Sequence, residues 1–145
     1  MTSTVEYQGQ LRTRCVHLQS ESFIFTDAPV DNHGQGEQFS PTDLMATSLA
    51  SCMLTVMGIK AKQLNIPLEG MKMNVNKIME ANPRRVSAIS LTVLIPVHLH
   101  TIEARDKEVL RKTAESCPVA KSIHPDIKVE INWNEWAVEI AASVE

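Results

Sequence analysis

Apolar and polar residues alternate with period two through several stretches of this chain, and in one stretch they crowd together with no period. From Val5 to Leu18 and from Ser22 to Thr26 the alternation predicts two antiparallel strands joined near Gln19, Ser20 and Glu21. Residues 27–37 are dense in Asp, Pro, Asn and Gly and read as a loop. Ser40-Pro41-Thr42-Asp43 is a helix start: Ser40 can cap, Pro41 suits the first helical position, and Asp43 is spaced to complete a capping box. The helix should run to about Leu64, where Asn65 and Pro67 end it, a length of about 35 Å at the usual rise. Leu44, Leu49, Met53, Val56, Met57 and Ile59 go most of the way round it, so it needs cover on all sides. One small sheet cannot provide that, and a second subunit is the simplest source of the rest.

After Gly70, Met71, Met73 and Val75 alternate with Lys72, Asn74 and Asn76, which predicts a strand. Asn82-Pro83-Arg84-Arg85 reads as a turn. Val86 to Leu99, rich in β-branched residues, reads as a long partner strand with Pro96 at an edge or bulge. Glu103 to Cys117 has the period of an amphipathic helix, with Val109, Leu110, Thr113, Ala114 and Cys117 inward. Pro118 then opens a short turn to about Ile123, and Ile127 to Trp133 forms a last strand. The order of strands, helix, strands, helix and strand predicts an α+β fold in a single domain spanning 1–145.

Composition narrows the function classes. At 145 residues, 43% apolar and 21% charged, the chain can bury a core without disulfide staples. A net charge of −3 with no Lys/Arg-rich run argues against a nucleic-acid partner. The N-terminal residues show no signal-peptide pattern. The longest uncharged stretch, Leu44 to Ile59, is 16 residues and carries Thr47, Ser48, Ser51 and Thr55, so no membrane span is expected. The expected location is the cytoplasm, where cysteines stay reduced and three of them are not a structural framework.

Cys52 lies mid-helix between Ser51 and Met53. A free cysteine in such surroundings is usually a small buried hydrophobe. Reactivity requires the thiolate, and the helix dipole fades within the first turn, so a basic group must come from elsewhere. Arg12 and Arg14 share one strand face and are candidates, although solvated strand arginines are commoner. Cys117, in Ser116-Cys117-Pro118-Val119, ends the second predicted helix; it too has packing as its ordinary role. Cys15 with His17 and His98 with His100 each share a strand face, but two ligands do not make a tetrahedral metal site. No hydrolase nucleophile elbow occurs.

Thr26-Asp27-Ala28-Pro29, Gly34-Gln35-Gly36-Glu37, Ser40-Pro41-Thr42-Asp43-Leu44 and Leu49-Ala50-Ser51-Cys52-Met53 together resemble the OsmC/Ohr family. Ser116-Cys117-Pro118-Val119-Ala120-Lys121-Ser122 resembles that family's second cysteine site, and the likeness extends from about Val5 to Trp133. It implies antiparallel sheets wrapped around a long central helix in an intertwined homodimer. It also implies that Cys52 reduces an organic hydroperoxide to become a sulfenic acid, and that Cys117 resolves it as a disulfide reopened by a dithiol reductant. No cofactor or metal is implied. The family's thiolate-holding arginine falls nearest Arg12, with Arg14 close behind. The glutamate that holds it falls at Thr42, a departure for which Asp43 and Glu37 are the candidate substitutes. A peroxide with an apolar tail suits walls formed by Met45, Met53 and Met57. The alternative is a non-catalytic dimer that senses redox state or binds a ligand through the same cysteines; a scaffold with inert cysteines is a third reading.

Overall fold

The structure, a computed structural model, describes residues 1–136. Its strands are β1 (Ser3–Gly9), β2 (Arg12–His17), β3 (Phe23–Asp27), β4 (Lys72–Glu80), β5 (Arg85–Leu94) and β6 (Lys128–Asn132). Its helices are α1 (Pro41–Gln63), α2 (Ala104–Glu115) and α3 (Pro118–Ser122). The strands form two three-stranded sheets, β1-β2-β3 and β4-β5-β6, which makes the fold α+β as the element order predicted. Contacts group the chain into two compact units, Met1–Met45 and Ala46 onward, with the boundary inside α1.

In the first unit the predicted single strand from Val5 to Leu18 is two strands. β1 and β2 pair antiparallel with Gly9 opposite Arg12, leaving Gln10 and Leu11 as a two-residue turn. Both have positive φ, 52° and 62°, as a hairpin turn matched to strand twist requires. Such turns favour Asn-Gly or Asp-Gly, so Gln-Leu gave no signal. The Tyr7 hydroxyl steadies the turn by accepting from the Leu11 N–H at 3.3 Å. β3 then pairs antiparallel with β2, with Arg12 opposite Asp27 and Cys15 opposite Ile24.

The loop after β3 doubles back on itself: the Gly34 N–H reaches the Pro29 carbonyl at 3.0 Å, and the Gly36 N–H reaches that of Ala28 at 3.3 Å. A Cβ on Gly34 would collide with the Ala28 carbonyl, so only glycine permits this approach. The start of α1 is a closed capping box. Asp43 N–H donates to Ser40 Oγ at 3.0 Å, and Ser40 N–H donates to Asp43 Oδ2 at 2.9 Å.

In the second unit β4 and β5 pair antiparallel with a bulge near Ile78. β5 is central in its sheet, and its Ile89, Leu91 and Val93 are fully buried. It stops at Leu94 rather than running to Leu99; Pro96 cannot donate to a ladder, and Val97–Leu99 is a 3-10 turn. β6 lies parallel to β5, so this sheet is mixed rather than wholly antiparallel. The long crossover through α2 and α3 is what a parallel neighbour needs. Leu110 and Ala114 of α2 are buried with Leu99 and Trp136.

Six positions of α1 after the boundary, Ala46, Leu49, Ala50, Met53, Met57 and Ala61, form its buried stripe. With 23 residues, α1 is long and apolar enough to cross a membrane by length and composition alone, a test that core helices also pass. About a third of its most apolar run is buried inside the chain itself, and the last turn of α1 carries Lys60 and Lys62. Asn65, with φ of 56°, follows it in the left-handed conformation that helix ends favour.

Ser40→Ala removes one half of the capping box and should lower stability by about 1 kcal/mol, read as a shifted midpoint with unchanged slope in urea unfolding.

Candidate functional site

Within the unit from Ala46 onward, two cysteines come together. Cys52, on α1, is half-buried, and Cys117, between α2 and α3, is 1% exposed. Cys117 does not end α2, which stops at Glu115; it caps α3 instead, its Sγ accepting from the Ala120 N–H at 3.4 Å. Burial pushes the Cys117 thiol above its ordinary value, the Ala120 N–H opposes this, and the neighbouring Cys52 sulfur, as acceptor and as negative charge, adds to the rise. Cys52 is thus near enough to Cys117 for the two thiols to act on each other. Both are free thiols, a pairing across 65 residues of sequence.

Within Met1–Met45 the charged groups form a clamp. Arg12 Nε donates to Asp27 Oδ1 at 2.6 Å and its Nη2 to Asp27 Oδ2 at 2.8 Å, a two-pronged ion pair. The same Nη2 reaches Glu37 Oε2 at 2.9 Å. Asp27 is 1% exposed and also accepts from the Glu37 N–H at 3.1 Å. Arg12 holds the Asp27 carboxyl below its ordinary value against the opposing effect of burial. Both carboxylates push the Arg12 guanidinium further up, with Asp27 the stronger.

Of the substitutes considered for the missing glutamate, Glu37 meets Arg12, while Asp43 is held in the capping box. Thr42 places its hydroxyl 3.2 Å from Ser40 Oγ. The sequence reading missed Asp27, although its place at the end of β3 opposite Arg12 is what antiparallel register would require. Arg14 goes elsewhere: its guanidinium lies over the Phe23 ring, 4.6 Å from the centroid.

Cys15 and His17 make separate contacts, Cys15 with Thr13 Oγ1 at 3.8 Å and His17 with Ser20 Oγ at 2.6 Å. His98 and His100 each meet a backbone carbonyl, those of Pro67 and Ile95. Met53 and Met57 are buried at 1% and 0% exposure, whereas Met45 is half-buried.

The description of OsmC-like proteins as a family matches residues 34–132, which include both cysteines. The chain belongs to the OsmC-like family. A Psychrobacter arcticus 273-4 protein, named for an osmotic stress induced and detoxification response, is 52% identical to this OsmC-like chain. Its structure superposes with a TM-score of 0.86 over 91% of this chain and 94% of that one. The organic hydroperoxide resistance protein OsmC of Legionella pneumophila shares the fold at 20% identity, with a TM-score of 0.68 over 91% of this chain and 96% of that one. So does an organic hydroperoxide resistance protein of Elizabethkingia anophelis, at 16% identity and a TM-score of 0.62 over 91% and 94%. A comparison with curated proteins finds no match.

Two pH dependences follow, of opposite sign. Asp27 has a folded value below its unfolded 3.8, so its stabilisation is present above that pH and is lost as pH falls through the depressed value. Asp27→Asn should flatten the acid limb of a thermal-unfolding curve recorded against pH. Cys117 has a folded value above its unfolded 9.0, so its stabilisation is complete below that pH and is lost as pH rises through the raised value. Cys117→Ala should flatten the alkaline limb and leave the acid limb unchanged.

Proposed function

We propose that this OsmC-like protein is a thiol-dependent peroxidase that reduces organic hydroperoxides. The observation that carries the reading is the pairing of a half-exposed Cys52 with a buried Cys117. The Cys52 thiolate attacks the O–O bond, keeps one oxygen as sulfenic acid, and releases the alkoxide, which takes up a proton to become the alcohol. The Cys117 thiol condenses with the sulfenic acid, forming the disulfide and releasing water. A dithiol reductant then returns two electrons and two protons by thiol–disulfide exchange and leaves oxidised itself.

Arg12 is the arginine assigned to the thiolate. The family resemblance, rather than a distance, motivates this role; its fixed orientation on Asp27 and Glu37 supports it, because a charge held in place needs no reorganisation during reaction. Asp27 and Glu37 act as positioning residues in place of the carboxylate that Thr42 lacks. Arg14, stacked on Phe23, is engaged otherwise. Neither a cofactor nor a metal enters this chemistry. The working form proposed is a cytoplasmic homodimer. Exposed apolar side chains favour a partner subunit: Val5 and Tyr7 are each 64% exposed and Ile59 is 59% exposed.

The test is oxidation of the reduced protein with one equivalent of cumene hydroperoxide, followed by peptide mass spectrometry and then by turnover with excess dithiothreitol. The expected result is loss of two hydrogens, mapped to a Cys52–Cys117 linkage, and consumption of many peroxides per subunit. Consumption of about one per subunit would instead favour the redox-sensing alternative. Cys52→Ser should abolish consumption, and its full retention would overturn the assignment. Cys117→Ser should leave one sulfenic acid per subunit, trapped by dimedone, and stop dithiol-driven recycling through the disulfide. Arg12→Ala should slow sulfenic acid formation by roughly a hundredfold, with Arg14→Ala near wild type.

A further inference from the structure

Reopening the Cys52–Cys117 disulfide of the proposed cycle requires a thiolate to attack one sulfur while the other leaves with the bonding electrons. The two cysteines differ in what can reach them. Attack runs along the S–S axis, from the side of the attacked sulfur that faces away from its partner. Cys117 is 1% exposed, which leaves an external thiol no approach of that kind. Cys52, half-buried, is the more accessible of the two.

Access therefore casts Cys117 as the leaving group, and burial makes that role costly. A thiolate formed in a closed setting lacks water around it, and burial pushes this thiol above its ordinary value. A poorer leaving thiolate slows exchange. One donor is placed to offset this. The Ala120 N–H reaches Cys117 Sγ at 3.4 Å and acts to lower the thiol's value, with a smaller contribution from Val119. Neighbouring bonds hold that donor in place. The Lys121 N–H donates to the Cys117 carbonyl at 3.2 Å, the Ile123 N–H to that of Val119 at 3.1 Å, and Ser122 Oγ to that of Pro118 at 2.7 Å. The donor's direction is thus set before charge appears on the sulfur, and a donor fixed in advance costs no reorganisation during reaction. The contact is one N–H to one sulfur and asks nothing of the dipole of α3, which is five residues long.

We infer that an incoming thiolate attacks Cys52 Sγ and that Ala120, through its backbone N–H, is a catalytic residue for the departure of Cys117. The attacking sulfur bonds to Cys52 Sγ, the Cys52–Cys117 bond breaks, and its electron pair goes to Cys117 Sγ. The Ala120 N–H holds that thiolate until it takes a proton from water. The second thiol of the dithiol then attacks the mixed disulfide, frees Cys52 and leaves as a cyclic disulfide. The inference rests on the proposed disulfide but not on a peroxide as its source.

The test uses the full-length chain carrying Cys15→Ser, oxidised with diamide so that no peroxide is needed, and opened with excess N-acetylcysteine. Acid quenching and peptide mass spectrometry should find N-acetylcysteine on Cys52 and a free thiol at Cys117. Ala120→Pro deletes the N–H and should slow opening about tenfold. The chain is extended at Cys117, with φ of −64° and ψ of 154°, so the proline ring meets no preceding helical turn. Ala120→Gly loosens α3 but keeps the N–H, and should open at near the parent rate; equal slowing in both variants would mean a merely structural role and overturn the inference. With Cys52→Ser added, the ultraviolet thiolate absorbance of Cys117 should titrate at higher pH in Ala120→Pro and not in Ala120→Gly. N-acetylcysteine found on Cys117, or an unchanged opening rate in Ala120→Pro, would overturn the inference and leave the peroxidase reading standing. Failure of diamide to link Cys52 with Cys117 would overturn both. If Ala120→Pro does not fold, lactic acid in place of Ala120, an ester lacking that N–H, must give the same slowing or the inference fails.

Discussion

A helix with no polar side must be covered wherever water would otherwise meet it, and α1 imposes that constraint on this chain. Its buried stripe runs through Ala46, Leu49, Ala50, Met53, Met57 and Ala61, spaced three and four apart as one helical face must be. Ile59, on another face, remains open. Cys52 precedes Met53 by one residue, a turn of about 100° that carries it off the buried stripe to a half-buried position. Cys117 has the opposite setting, closed from water and capped by a backbone N–H. In the proposed peroxidase cycle that difference suits the more open thiol to meet the peroxide and the enclosed one to resolve it.

Arg12 is clamped by groups from two stretches of chain. The family resemblance puts a carboxylate at Thr42, and the proposed site does without it. Here the arginine is instead held from its own sheet by Asp27 and from the following loop by Glu37. That loop reaches Arg12 because Gly34 allows its backbone to press against Ala28. Asp27 is nearly inaccessible to water and accepts from both Arg12 and the Glu37 backbone, which fixes the guanidinium plane. The cost of burying a carboxylate is offset by those bonds.

Local signals were legible wherever the residues that specify an element are neighbours. Ser40, Pro41 and Asp43 marked the start of α1, and Asn65 marked its end, because capping and left-handed termination involve residues only a few positions apart. The alternation of Met73 and Val75 with Asn74 and Asn76 marked β4 for the same reason. The Gln10–Leu11 turn escaped notice because neither residue is among those that favour positive φ, so the hairpin depends on the pairing of β1 with β2 and on Tyr7.

The sequence by itself therefore determined the bounds of α1, most of the strands, the α+β class and the two family cysteine segments, all of which rest on nearest-neighbour stereochemistry or on local residue pattern. Tertiary structure alone decided which distant groups meet: Arg12 with Asp27 across 15 positions, β6 parallel to β5, and Cys52 with Cys117. Those meetings depend on strand register, on the crossover through α2 and α3, and on how α1 is covered. A residue's type states what bond it can make; only the packed chain determines which partner stands within reach.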